Sequence, residues 1–348
     1  MNSPRTQKEP PSYMGTDQRW IEQTLAHRAG AVPYNFTFSP PARRVLVEHY
    51  GTPGLEDKLS FPIRMNGTKT IKPLYADPDQ FGATAKDEFG VVWATNPIDR
   101  GAPIGPCLRE ADLASYRFPK AEAAYRFEDL GPWLEREKEH YTVIWIGDLW
   151  ERATFMRGME NILLDLAETP RFVDALLRGL ADYILGTLQI LCARFQFDCV
   201  AVSDDYGTQR GLLMSPAAWR RHIKPLLKEI YTFAQRHNRR VFHHTCGQVE
   251  PIIPDLIELG LDILHPIQPE ALDVFKLKRE FGRDLTLCGG IRTQDLLPYG
   301  SPEAVREEVR RLKSALGAGG GYILEPGITL QADVPLANLV AMLEEARA

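Results

Sequence analysis

The sequence lacks the features that would place it at a membrane, on nucleic acid or outside the cell. No stretch approaches the roughly 20 apolar residues that span a bilayer, so no membrane crossing is expected. There is no excess of positive charge: 41 Lys+Arg against 46 Asp+Glu leave a net charge of −5, which excludes a strongly basic nucleic-acid surface. Cysteine is sparse. The five (Cys107, Cys192, Cys199, Cys246, Cys288) are odd in number and form no CxxC pair, which argues against a disulfide framework or a zinc ribbon. Met1 to Tyr13 is polar and proline-containing, without the apolar core of a signal peptide. Residues 1–18 are therefore expected as a loose tail on a cytoplasmic protein. Internal repeats and low-complexity segments are absent too.

What remains is a globular composition, 44% hydrophobic and 25% charged over 348 residues, enough to bury a large core. From about residue 140, short apolar runs alternate with long amphipathic segments. The runs are Val143–Ile146, Cys199–Ser203, Arg240–His244, Asp262–His265, Leu285–Leu287 and Tyr322–Leu324, and each reads as a strand covered on both faces. Between them, helices are predicted over Phe172–Phe195, Ala217–His237, Val249–Leu259, Leu272–Phe281 and Pro302–Leu316, with Pro335–Ala348 closing the chain. Thr169-Pro170 and Ser215-Pro216 supply starts, and Gly260, Gly282 and Gly317 supply stops. An earlier strand, Val32–Phe38, precedes a helical Pro41–Tyr50.

Regular βαβ succession implies right-handed crossovers and a parallel sheet. The expected fold is α/β, a (β/α)8 TIM barrel spanning 19–348 as one domain, with an open doubly wound sheet as the alternative. Residues 60–135 break the pattern and read as an insertion after the first βα unit. It would contain a hairpin near Phe61–Asn66 and Glu88–Thr95, with room for the eighth strand.

In such barrels the site sits where the C-terminal strand ends converge. Polar residues collect there: Asp204-Asp205 and Gln209, His244 and Cys246, His265 and Gln268, Cys288-Gly289-Gly290, and Glu325. His244-x-Cys246 is the sharpest feature, because residues i and i+2 of an extended chain point the same way. Imidazole and thiolate are both zinc ligands, and catalytic zinc uses three protein ligands and one open position. The bland alternative is a core-edge histidine beside an inert cysteine. Third-ligand candidates are Glu325, His265 and Cys288, in that order. Asp204 and Asp205 are read as an acid/base or substrate-binding pair, against the alternative of a loop cap. Gln209, Gln268, Trp150 and Gly289 are the substrate-binding candidates, Gly289 because a glycine after a strand lets a ligand approach backbone N–H groups. The Gly317–Gly321 run precedes its strand and reads as a turn.

Several segments together resemble the uroporphyrinogen decarboxylase-like superfamily, and within it the corrinoid-dependent methyltransferases. They are His244-Thr245-Cys246-Gly247, Pro254 to Gly260, Gln268-Pro269-Glu270, Asp204 to Gln209, Arg157 to Asn161, Cys288 to Ile291 and Gly320 to Leu324. Arg28, Val32-Pro33 and Asp87 to Gly90 extend the resemblance forward. The resemblance implies a (β/α)8 barrel and zinc at His244 and Cys246. It further implies a small-molecule methyl donor, such as a methoxylated aromatic undergoing O-demethylation, and a corrinoid supplied by a partner protein. Zinc would act as Lewis acid, and Asp204 or Asp205 would orient the substrate or protonate the leaving group. The methyltransferases' distant cysteine would fall near Ile328 and is missing. Uroporphyrinogen decarboxylases carry an RQAGR-type start and an early aspartate. Here Arg28-Ala29-Gly30-Ala31 keeps one arginine, and no matching aspartate motif follows. Decarboxylation and a non-catalytic ligand-binding barrel are the alternatives, and homodimerisation is left open.

Overall fold

The computed structural model describes residues 15–69, 82–95 and 101–348. Most of the expected tail, residues 1–14, lies outside these, and a helix already begins at Thr16. The core of the fold is a curled parallel sheet of seven strands in the order β1 (Ile63–Gly67), β5 (Tyr141–Asp148), β6 (Cys199–Ser203), β7 (Arg240–His244), β8 (Ile263–Ile267), β9 (Thr286–Ile291) and β10 (Tyr322–Pro326). Strand alternation splits each strand between two cores. In β6, Val200 and Val202 face the helical layer, while Cys199 and Ala201 face the interior with Tyr141, Val143, Phe242, Ile263, Cys288 and Ile323.

The helices form where cap and periodicity agree. Ser215, Asp273 and Ser301 each accept a hydrogen bond from a first-turn N–H through the side chain, and Gly260 ends its helix in the left-handed conformation. Gly282, expected to do the same, has φ −68° and caps without it. The predicted helix over Ala217–His237 is two helices, Pro216–His222 and Lys224–Arg236. Pro225 has no N–H to continue the ladder and its ring crowds the preceding turn, so the axis breaks at Ile223.

The helix Pro170–Arg194 is, contrary to the expectation from sequence, long and apolar enough to cross a membrane by length and composition. Its apolar stripe, including Leu176, Leu180, Ile184 and Leu191, is instead buried, and the helix packs on β5 and on Lys224–Arg236.

Two departures concern the front of the chain. Val32–Phe38 does not form a ladder. It makes isolated parallel bridges, Tyr34 to Leu324 and Phe38 to Leu330, along and beyond β10. The parallel strand at the other end is β1, which lies inside the stretch expected as an insertion and pairs with β5 from Ile63↔Tyr141 to Gly67↔Trp145. The remainder of that stretch contains a separate antiparallel sheet, β2 (Thr84–Lys86), β3 (Val92–Ala94) and β4 (Ala102–Gly105).

Asp87, in the turn between β2 and β3, fastens the small sheet to the large one. Its carboxylate accepts from the N–H groups of Phe89 and Val91, from Trp93 Nε1 and from Arg152, the last at 2.7 Å. Arg152 also reaches Asp148 at the end of β5 at 3.2 Å and lies over the Phe89 ring. Removing one member of a buried ion pair strands the other charges. Arg152→Met should therefore lower unfolding free energy by about 3 kcal/mol in urea titration; a loss below about 1 kcal/mol would show that the network is not what secures the small sheet.

Candidate active site

Three adjacent strands bring the site together. In register, Ser203 lies opposite His244, and His244 opposite His265. The inward parity of β6 continues past its end to Asp205, and that of β7 to Cys246. Asp205, His244 and Cys246 consequently form one cluster whose donor atoms lie within 4.8 Å of one another. His244 Nε2 is 3.4 Å from Cys246 Sγ and 3.5 Å from Asp205 Oδ1, and Asp205 also accepts from the Cys246 N–H at 2.8 Å. The loops after β6 and β7 cross at contact distance: a Cβ on Gly207 would lie 2.7 Å from Gln248 N, so the crossing has no room for a side chain.

A second cluster lies deeper. His265, Cys288 and Glu325 are buried, with Cys288 Sγ donating to Glu325 at 3.1 Å and His265 Nε2 at 3.5 Å from the same carboxylate. The two clusters touch through the histidines, whose Nδ1 atoms are 2.9 Å apart. Glu325, ranked first as third ligand from the sequence, belongs to this deeper group. The residue that completes a trio with His244 and Cys246 is Asp205. Glu325 sits three strands away on β10, whereas Asp205 ends the strand next to β7.

The charges follow from these contacts. Burial alone would raise Asp205, but hydrogen bonding and charge from His244 outweigh it and hold the carboxyl below its usual range. Burial would lower His244, yet Cys246 and Asp205 together raise it. Burial raises the Cys246 thiol against the pull of His244, and it lowers His265, which is neutral. Desolvation pushes the Glu325 carboxyl up to about 7.

The remaining sequence candidates separate clearly. Asp204 has the opposite parity to Asp205 and faces away from the cluster. It is fully buried, accepting from the N–H groups of Leu149 and Glu151 and from the Tyr206 hydroxyl, and so caps the helix Trp150–Arg157. The loop-cap alternative applies to Asp204, and its place as an acid/base residue is corrected. Trp150 is fully buried and packs in the core under the helices, not in the interior group that contains Phe242 and Trp145. Trp145, half-buried, faces His244 instead, with centroids 6.3 Å apart. Gln209 is exposed at the rim, bonded to Gln294. Gln268 is buried and accepts from Gly247 N at 3.2 Å. Gly289 has φ +129° and lies against β8, where a Cβ would meet Ile267 N at 2.7 Å; packing, not ligand approach, requires glycine there.

Sequence reasoning missed Asn35, whose amide is 3.5 Å from Glu325 Oε1 and 3.7 Å from Met65 Sδ. The available signal was a lone polar amide inside the apolar run Val32–Phe38.

The donor set suits zinc. Ligand bonds of about 2.0–2.3 Å in a tetrahedron put donors about 3.3–3.7 Å apart. The two separations at His244 Nε2 fall in that range, and one nitrogen, one sulfur and one oxygen leave a fourth position open.

The model of a family described as uroporphyrinogen decarboxylase (URO-D) matches residues 141–348, the span that holds all six cluster residues. A uroporphyrinogen decarboxylase from Pseudomonas syringae pv. tomato (strain ATCC BAA-871 / DC3000) is 24% identical over 215 residues. The match covers 57% of this chain and 56% of that protein, little more than half its length. A methyltransferase from Methanosarcina mazei shares the fold, with a TM-score of 0.69 at 18% identity over 96% of this chain and 98% of that one.

Two substitutions test these assignments. Asp204→Ala leaves three buried donors without an acceptor and should cost about 2–3 kcal/mol, whereas Asp204→Asn keeps an acceptor and should cost under about 1 kcal/mol. Equal losses in chemical denaturation would contradict the capping role. For Glu325 the folded chain holds its proton more tightly than the unfolded one, so its contribution is present below pH 4.5 and lost as pH rises through about 7. Metal-free protein should lose about 2 kcal/mol more stability between about pH 5 and pH 8 than Glu325→Gln does; parallel profiles would refute the raised carboxyl.

Proposed function

Since the chain belongs to the uroporphyrinogen decarboxylase (URO-D) family, we propose that it is a methyltransferase passing a methyl group from a small methylated compound to a corrinoid on a partner protein. The observation that carries this reading is the Asp205–His244–Cys246 cluster at the strand ends. A nitrogen, a thiol and a carboxylate around an open position suit a metal that meets substrate oxygen or sulfur. Decarboxylation of a multiply carboxylated tetrapyrrole calls for several cations instead. We read Val32–Phe38, bridged to β10, as the eighth stave of a (β/α)8 barrel, which leaves the strand-end mouth to the corrinoid partner.

Zinc held by His244, Cys246 and Asp205 would supply Lewis acidity to the oxygen or sulfur that carries the methyl group. The chain's own residues set the geometry. Asp205 fixes the Cys246 backbone through the 2.8 Å bond and, being held ionised, serves as ligand rather than as proton donor to the leaving group. Asp204, sealed behind the strand, positions the helix after β5 without touching substrate. His265 orients the His244 ring through the Nδ1 contact, as outer partners of metal-bound histidines do. Trp145 provides an apolar wall for the donor beside His244.

Elemental analysis of anaerobically purified protein should find about one zinc per chain, lost in Cys246→Ala, weakened in Asp205→Ala and retained in Glu325→Gln. The zinc-loaded enzyme should methylate cob(I)alamin from at least one compound in a panel of methoxylated aromatics and methylamines, and Cys246→Ala should reduce that rate at least about 100-fold. Zinc retained by Cys246→Ala, or no methyl transfer across the panel, would overturn the proposal.

A further inference from the structure

A buried carboxylate that the chemistry described so far does not use lies one strand over from the outer cluster. Glu151 belongs to the first turn of the helix Trp150–Arg157, which starts directly after β5. An acid in that position can stabilise a helix from solvent, near the positive end of its dipole. Glu151 does not stay in solvent. It is 6% exposed, and its carboxylate accepts from Ser203 Oγ at 3.0 Å.

The fold fixes this contact from both sides. Asp204 accepts from the Glu151 N–H, and the next residue, Arg152, is tied to Asp87 and Asp148, so the turn is held at two points. β5 carries one extra residue between Trp145 and Gly147, where Gly147 takes φ +128°. Trp145 lies opposite Ala201, and past the bulge Asp148 lies opposite Ser203, so both meet inward residues of β6.

Ser203 connects Glu151 to the cluster. It shares the inward face of β6 with Asp205, two residues on, and lies opposite His244 of β7. Neighbouring strands are about 4.8 Å apart, which puts the Glu151 carboxylate one side chain away from His244. Ser203 keeps partial access to solvent, as do Asp205, His244 and Cys246. A molecule bound at the open metal position would have this pair as its neighbour on the β5 side.

What the pair can do follows from its proton. The single Ser203 hydroxyl proton is directed at Glu151, which leaves lone pairs on the hydroxyl and carboxylate oxygens. The pair accepts hydrogen bonds.

We propose that Glu151 and Ser203 form a hydrogen-bond-accepting subsite that takes an O–H or N–H group of the substrate beside the atom bearing the methyl. The inference rests on the methyltransferase reading and deepens it: an ether, a thioether or an amine could meet the metal, and the subsite selects by the neighbouring donor group. Such a site rejects the analogue lacking that group, because its buried acceptors then lose water without gaining a partner.

The test uses three probes that differ in one group: 2-methoxyphenol, 2-methoxyaniline and 2-methoxytoluene. Binding to the full chain is measured by isothermal titration calorimetry, and methyl transfer to cob(I)alamin alongside. Wild type should bind the phenol and the aniline at least about ten-fold tighter than the toluene. Glu151→Leu should bring all three within about two-fold of one another by weakening the first two, with the toluene unchanged as the control for folding. Glu151→Gln, which keeps an acceptor oxygen, should retain a preference of about three-fold or more. Equal binding of the three probes by wild type, no binding of any, or variants that weaken all three alike would overturn the subsite. Methyl transfer from the toluene as fast as from the phenol would do the same and leave methyl transfer itself standing. The expected binding preference with no methyl transfer would overturn the methyltransferase reading, and with it the subsite's assignment to a methyl donor.

Discussion

The two-residue alternation of parallel strands, held in register across β6, β7 and β8, is the constraint on which the site depends. Asp205 and Asp204 are neighbours in sequence, and so are His244 and His243, yet each pair is divided between opposite faces of the sheet. The inward members meet each other. The outward members are consumed by structure: Asp204 caps a helix, and His243 sits between Tyr206 and Tyr231, bonded to the Tyr231 hydroxyl at 2.6 Å. A slip of one residue in either strand would exchange these roles and take the donor set apart.

Much of this was legible in the sequence for a physical reason. Strands buried on both faces need unbroken apolar runs, and the limits of β6 and β7 agree with the runs read from sequence. The His-x-Cys pair was legible because its spacing is that of one strand face. The third donor was not, because it depends on register between strands. Ser203 opposite His244 carries Asp205 toward Cys246, and a single strand's pattern does not contain that information. β1 was misplaced for another reason: its segment read as one arm of a hairpin near Phe61–Asn66, whereas it pairs in parallel with β5. Its residues Ile63–Gly67 include Arg64 and Asn66, so the apolar run is broken by side chains whose burial relies on ion pairs made elsewhere, such as Arg64 with Glu137. Val32–Phe38 erred the other way, with a strand's composition but only isolated bridges.

Burial also sorts the ionisable groups into two kinds. Around the strand ends, Asp205, His244 and Cys246 adjust one another's charge and keep partial access to solvent. One layer down, Cys288 and Glu325 have no solvent to support a charge, so both are pushed toward their protonated forms. The ring of His265 stands between these layers, packed on Phe242 with centroids 4.9 Å apart.

The 2.9 Å approach of two Nδ1 atoms carries a stoichiometric consequence. A single proton can occupy that line, so one ring must donate and the other accept. If His244 offers the bare Nε2 lone pair that a metal needs, its own proton is on Nδ1 and points at His265. His265, neutral, must then carry its proton on Nε2, directed at Glu325, and has no lone pair left for an ion there. The two clusters are thus tautomerically exclusive: in this arrangement, filling the outer one disarms the histidine of the inner one, and six donor residues amount to a single metal's worth of site.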